Sequence, residues 1–169
     1  MRNSVMILLS MGLFSWAGVC LAGNTYHSPL GATPSGLSGP AVLNVEHHRN
    51  STGIMVTANE PVAEDHYRWV MIPLTLERDY IEEVRVCYQV DTASPGSTYI
   101  SQIRLSQMNK PIRSSAKHDD TTDLTSTSPR CYRSTLSRRF RVGGTITLHL
   151  KIVIGDAEDR IFIGGIRVR

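Results

Sequence analysis

This sequence has few cysteines, few lysines and no common catalytic motif. Each of these features argues against a class of protein. The 169-residue chain has three cysteines and no Cys-x-x-Cys motif, which argues against a thioredoxin-like redox site. No Gly-x-Ser-x-Gly segment frames any serine, so a common hydrolase signature is missing. Fifteen of the 18 basic residues are arginine, yet the formal net charge is only +3. Nucleic acid is therefore not the expected partner.

A single long apolar run, VMILLSMGLFSWAGVCLA, lies at the N-terminus. It ends with small residues at Cys20 and Ala22, the −3 and −1 positions of a signal-peptidase cut. We predict that residues 1–22 are a signal peptide and that the chain is secreted, with a periplasmic or extracellular location and no membrane span. A lipoprotein anchored through Cys20 is disfavoured, because the residues before that cysteine lack the usual pattern.

The two remaining cysteines, Cys87 and Cys131, form an even pair in an oxidising compartment. A disulfide between them is the simple prediction. Closing a 44-residue loop would stabilise the fold by about 4 kcal/mol on the chain-entropy account. That is a large share of the stability of a typical domain.

The exported chain has the size of one domain. Residues 23–40 are rich in Gly, Pro and Ser and lack an apolar period, so we expect a flexible leader or linker there. Residues 41–169 are expected to form a single β-sandwich domain.

Apolar residues in that domain recur with period two, which is typical of half-buried strands. In TITLHLKIVI they occupy every second position, and VRVCYQVD repeats the pattern with Cys87 on its polar face. AVLNVE and GIMVTA read as a hairpin. About eight short strands with almost no helical period predict an all-β, antiparallel β-sandwich of jelly-roll type with one disulfide.

The segment 109–130 reads as a long polar loop, which in a compact domain is usually functional or disordered. Its carboxylates Asp119, Asp120 and Asp123, with neighbouring hydroxyls, supply the hard oxygen ligands that Ca²⁺ prefers. The spacing does not match an EF-hand loop, and these residues can also cap local turns. No cofactor is predicted, with Ca²⁺ as the one exception left open.

Two features suit ligand binding. Five arginines follow the acidic loop within twelve residues, which suits recognition of carboxylate, sulfate or phosphate groups; a charged edge strand is the alternative. They are Arg130, Arg133, Arg138, Arg139 and Arg141. Trp69 lies on the face opposite Val70 and Ile72, where it could stack on a sugar ring, although burial under the hairpin is favoured.

The runs RWVMIPLTL, VRVCYQV, YISQIRL, HDDTTDLTSTSPRCY and DRIFIGGIRVR resemble a set of small secreted bacterial jelly-roll proteins with no assigned function. The resemblance covers the chain from about Arg68 onward and implies the fold. It transfers no catalytic residue, and jelly rolls serve many functions.

These features predict a secreted, non-catalytic module that binds a glycan or another anionic surface ligand. One alternative is a self-assembling surface protein whose leader and strand edges make the contacts. The other is a hydrolase whose site is dispersed in the sequence.

Overall fold

The computed structural model describes residues 25–36, 41–48, 52–66, 68–77, 79–111 and 113–169, so the predicted signal peptide lies outside it. These ranges hold eleven strands and one short 3-10 turn at Pro29–Gly31. The strands are β1 (Thr25–His27), β2 (Thr33–Gly36), β3 (Leu43–His47), β4 (Ile54–Ala58), β5 (Arg68–Leu74), β6 (Tyr80–Asp91), β7 (Tyr99–Lys110), β8 (Arg113–Asp120), β9 (Arg130–Arg141), β10 (Thr145–Val153) and β11 (Arg160–Val168).

The pairing of the last eight strands is that of a jelly roll. The innermost pair along the chain is β7 with β8. The next pairs outward are β6 with β9, β5 with β10 and β4 with β11, and all four are antiparallel. The result is a long hairpin rolled into two sheets. One sheet has the order β3-β4-β11-β6-β9 with β1 beside β11, and the other has the order β2-β5-β10-β7-β8. The predicted jelly-roll sandwich is confirmed.

Alternating apolar residues of both sheets build the core. In β10, Ile146, Leu148, Leu150 and Ile152 are almost completely buried while the residues between them face outward. Each such side chain stabilises the fold by roughly 1.5–3 kcal/mol relative to an exposed one. Truncation at the centre, as in Leu148→Ala, is expected to cost about 2–5 kcal/mol.

The flexible leader predicted for 23–40 is wrong for the part that the structure describes. Strand β1 pairs with β11, and β2 pairs with β5, so both sheets extend into this segment. The two strands have three and four residues, too few for a period-two pattern to emerge. Their backbone groups are nevertheless paired with the neighbouring strands.

The segment 109–130 is also not a single loop. Residues Arg113–Asp120 form β8, the edge strand next to β7. Because β8 is polar on both faces, it carries no alternation of apolar and polar residues. The remaining part is ordered by contacts with β6, including the backbone hydrogen bond from Val90 N to Ser126 O at 2.9 Å.

The predicted disulfide is confirmed. Cys87 and Cys131 lie directly opposite each other on β6 and β9 and are bonded on the outer face of their sheet. In the described ranges, no helix combines the length and apolar character that a membrane crossing needs.

Candidate functional site

The outer face of the β1-containing sheet carries an aromatic ring among polar groups. Phe162 of β11 lies between Met55 of β4 and Gln89 of β6 in the strand register. All three are partly exposed, because they occupy the outward positions of their strands. The period-two rule thus places an apolar ring where solvent or a ligand can reach it.

Two depressions flank this ring. One, of about 310 Å³, is lined by the disulfide, Gln89, Pro129, Arg130, Phe162 and Gly164. The other, of about 230 Å³, is lined by His48, Gly53, Gln89, Phe162 and Gly164. Both are lined by Phe162, Gln89 and Gly164, so they adjoin at the ring, and the two depressions together are called here the Phe162 groove.

Contacts within the groove fix its polar and aromatic parts. The His48 ring meets the Phe162 ring edge to face, with the centroids 5.3 Å apart. The Gln89 amide donates to the Thr127 carbonyl at 3.1 Å, which orients it. A Cβ atom at Gly164 would lie 3.6 Å from the carbonyl oxygen of Cys87, so β11 passes close to the disulfide here. The groove therefore offers a flat apolar surface beside an amide, an imidazole and a guanidinium.

A third depression, of about 680 Å³, extends this face toward the next row of residues. Its lining includes Met55, Thr57, Asp91, Glu158 and Arg160. Asp91 and Arg160 are paired in the register next to Gln89 and Phe162, so the depression adjoins the groove. The hollow surface accordingly crosses several strands, as an elongated ligand requires.

The predicted arginines lie on β9, and only Arg130 lines the groove. Arg133 contacts Glu83 at 3.3 Å, and Arg139 contacts Glu82 at 3.8 Å and the Tyr80 ring at 5.0 Å. Arg138 and Arg141 are exposed. The five do not form one cluster, because the strand spreads them over its whole length.

Trp69 lies on the opposite side of the sandwich, on the outer face of the β2-containing sheet. It is partly exposed there, so the favoured prediction of burial under the β3–β4 hairpin is wrong: that hairpin belongs to the other sheet. The Arg104 guanidinium lies 5.1 Å from the centre of its ring, and the His149 ring meets it edge to face at 6.1 Å. We call this surface the Trp69 face.

Arg104 is paired with a carboxylate on the Trp69 face. Arg104 Nε contacts Asp119 Oδ1 at 2.6 Å, and the Gln102 amide donates to the same oxygen at 2.7 Å. The pKa of His149 is lowered by burial and by Arg104, against a smaller opposite effect of Asp119, so the imidazole is neutral at pH 7. This surface is a fixed polar network around a tryptophan ring.

The three predicted calcium ligands have separate partners. Asp119 pairs with Arg104, and Asp120 accepts hydrogen bonds from the side chains of Ser134 and Tyr132 and from the Thr122 backbone. Burial raises the pKa of Asp123, and the charge of Glu64 raises it further. Within the described ranges, no three His, Cys, Asp or Glu side chains lie close enough together to hold a metal ion.

Asp120 belongs to a polar seam that joins the free edges β8 and β9. The seam comprises Asp120, Thr122, Tyr132, Ser134 and His118, whose Nε2 lies 2.7 Å from Ser134 Oγ. Although burial acts to raise the pKa of Asp120, the hydrogen bonds from Ser134, Thr122 and Tyr132 outweigh it and lower the pKa.

The seam contains serine, histidine and aspartate, yet its order differs from that of a catalytic triad. Ser134 lies between His118 and Asp120 and donates its proton to the carboxylate, whereas a triad places histidine in the middle. Ser134 is also fully buried. This geometry gives no support to a hydrolase.

No protein-family model matches the chain, and no curated protein matches it. Among solved structures, it is similar to the CBM36-1 domain of a multidomain xylanase from the hindgut metagenome of Trinervitermes trinervoides, with 11% identity, coverage of 87% of this chain and 97% of that one, and a TM-score of 0.49. A mutant of a family 29 carbohydrate-binding module shares 12% identity over 86% of this chain and 92% of its own, with a TM-score of 0.48. Another family 29 mutant covers 88% and 92%, with 12% identity and a TM-score of 0.47. These neighbours are carbohydrate-binding modules, and a likeness of this size does not identify the ligand of this chain.

Sequence reasoning missed Phe162, Gln89 and His48. A signal for the first was present: in RIFIGGIRVR, Phe162 stands on the polar side of the alternation, two positions before a pair of glycines. An aromatic residue at an outward position of a strand is a candidate contact for a ligand. His48 comes from a different strand end, and only the fold brings it to the ring.

Proposed function

We propose that this protein is an exported, non-catalytic module that binds a glycan in the Phe162 groove. The observation that carries the proposal is the pair of adjoining depressions beside a partly exposed aromatic ring on a sheet face. Such a ring packs against the apolar face of a sugar, while nearby polar groups bond its hydroxyls.

The groove supplies both kinds of contact. Phe162 provides the flat surface, and Gln89 lies beside it, held by its bond to Thr127. Arg130 lines the same hollow and is exposed, so it can bond a hydroxyl, a carboxylate or a sulfate. An anionic glycan therefore fits better than a basic or a purely apolar partner.

The test is binding of the exported chain to an array of plant, bacterial and animal glycans, followed by calorimetry with the strongest ligands. Phe162→Ala is expected to weaken binding about 5- to 150-fold, because loss of a stacked ring costs roughly 1–3 kcal/mol. Trp69→Ala is the matched control: it also removes an aromatic ring from an outer sheet face, but outside the groove. Equal affinity of wild type and Phe162→Ala would contradict the proposed site.

Export is part of the proposal and rests on the N-terminal sequence alone. Cleavage after Ala22 is expected to leave Gly23 as the first residue. Intact-mass measurement of protein recovered from outside the cytoplasm tests this. A mass that includes residues 1–22 would contradict it.

A further inference from the structure

Three arginines stand in one row across the outer face of the β1-containing sheet. In the strand register, Arg167 of β11 is directly opposite Arg85 of β6, and Arg85 is directly opposite Arg133 of β9. With adjacent strands about 4.8 Å apart, the backbone positions at the two ends of this arginine row are about 10 Å apart. Like charges directly opposite each other destabilise a sheet.

A single carboxylate offsets this repulsion. Glu83 contacts Arg167 at 3.0 Å through Oε1 and Arg133 at 3.3 Å through Oε2, and its side chain is only 8% exposed. Both of its oxygens are thus committed to the two outer arginines. Arg85, partly exposed between them, contacts no carboxylate among the described residues. The row carries three positive charges against one negative charge.

The row directly adjoins the Phe162 groove. Arg85 is two residues from Cys87 on β6, and Arg133 is two residues from Cys131 on β9, so each arginine shares its face with a groove residue. Outward neighbours on one strand are roughly 7 Å apart. A substituent of a ligand in the groove can therefore reach the guanidinium of Arg85.

We propose that the arginine row is an oxyanion subsite that binds a carboxylate or sulfate group on the glycan held in the groove. Arg85 makes the main contact, because it contacts no carboxylate among the described residues, and Arg133 and Arg167 add to the positive electrostatic potential there. The inference rests on the proposed glycan-binding function and specifies its ligand: an acidic rather than a neutral polysaccharide. A carboxylate or sulfate of such a ligand would supply Arg85 with the anionic partner that it lacks among the described residues.

Two polymer pairs test this, each with one backbone and one difference in charge: dextran sulfate against dextran, and polygalacturonate against its methyl ester. Wild-type protein is expected to prefer the charged member of at least one pair. Arg85→Gln should reduce that affinity about tenfold and lower its salt dependence, and Arg85→Lys should restore only part of it. Arg113→Gln, an equal charge change at an exposed position of β8, is the control. Variants of Arg133 or Arg167 are less informative, because each would also remove an ion-pair partner of the buried Glu83.

Each outcome decides the case. If Arg85→Gln keeps the preference for the charged polymer, or if Arg113→Gln loses as much affinity for it, the arginine subsite is wrong. The groove is then judged by Phe162→Ala alone. If Phe162→Ala binds normally but Arg85→Gln does not, the groove is wrong and the anion site stands. If duplex DNA binds as tightly as the charged polysaccharide, the surface binds polyanions in general, and the proposal of a glycan ligand is wrong. If the wild-type protein binds the charged and the neutral polymer equally well in both pairs, the subsite is wrong.

Discussion

At the scale of single residues, neighbouring positions in the sequence reach different surroundings. Asp119 and Asp120 are adjacent in β8, so their side chains point to opposite faces: one reaches Arg104 on the outer face and the other enters the seam. Calcium binding by the aspartates would require both to leave these partners. A rise in melting temperature in excess Ca²⁺ would reveal such a change, and the site stays a prediction until that titration is made.

Asp120→Asn is expected to destabilise the protein at pH 7 by about 1–2 kcal/mol, because a charged acceptor of several hydrogen bonds is lost. Burial raises the pKa of Asp120, but bonds from Ser134, Thr122 and Tyr132 give a net lowering. Its stabilising contribution is therefore present above the unfolded pKa, near 3.9, and is lost as pH falls through the lower folded pKa. Urea unfolding from pH 7 to pH 2 should show wild type and variant converging in acid.

Asp123→Asn is the control for this experiment, with the opposite sign. Burial and Glu64 raise the pKa of Asp123, so its ionised form opposes folding as pH rises above the unfolded value. The variant should be no less stable than wild type at pH 7. Equal losses in the two variants would show that the seam adds nothing specific.

At the scale of elements, the disulfide joins β9 to the sheet. Strand β9 lies at the edge of its sheet and pairs only with β6 among the described strands, so the Cys87–Cys131 bond is a second link along the same ladder. The double variant Cys87→Ala/Cys131→Ala is expected to lose about 4 kcal/mol of unfolding free energy, the chain-entropy value for a 44-residue loop.

Urea unfolding with and without a reducing agent measures this loss. Reduced wild type should match the double variant, and the reductant should leave the variant unchanged. A wild-type midpoint that does not move on full reduction would show that the sheet alone holds β9.

Elements also show what the sequence could predict. Strands such as β10 were predictable, because alternating Ile and Leu residues mark one buried face. Strands β1, β2 and β8 were not: two are too short for a pattern, and β8 has a single apolar residue, Ala116. Their formation depends on unpaired edges offered by β11, β5 and β7, which exist only after the sheets have formed.

The candidate site was predictable only in part for the same reason. Arg130 was suggested by its local charge cluster, and it does line the groove. Phe162 and His48, by contrast, are more than a hundred positions apart in the sequence and meet through the fold. The pairing of Arg85 with Arg133 and Arg167 likewise depends on strand register, which the residues alone do not fix.

At the scale of the whole molecule, the sandwich presents two different outer faces. One carries the Phe162 groove and the arginine row, and the other carries Trp69 beside the Arg104–Asp119 ion pair. The predicted ligand residues Trp69 and Arg130 therefore cannot contact one small ligand together. Self-assembly remains an alternative that light scattering over a range of concentrations would detect as a growing particle.

Mapping a bound glycan by NMR tests the central claim most directly. Backbone amide shifts of the labelled protein, recorded with and without a glycan that binds in the array, report which face the ligand touches. We predict the largest changes at Gln89, Arg130, Phe162 and Gly164, with smaller ones at Arg85. Changes centred instead on Trp69, Arg104 and His149, with the groove unaffected, would contradict the account.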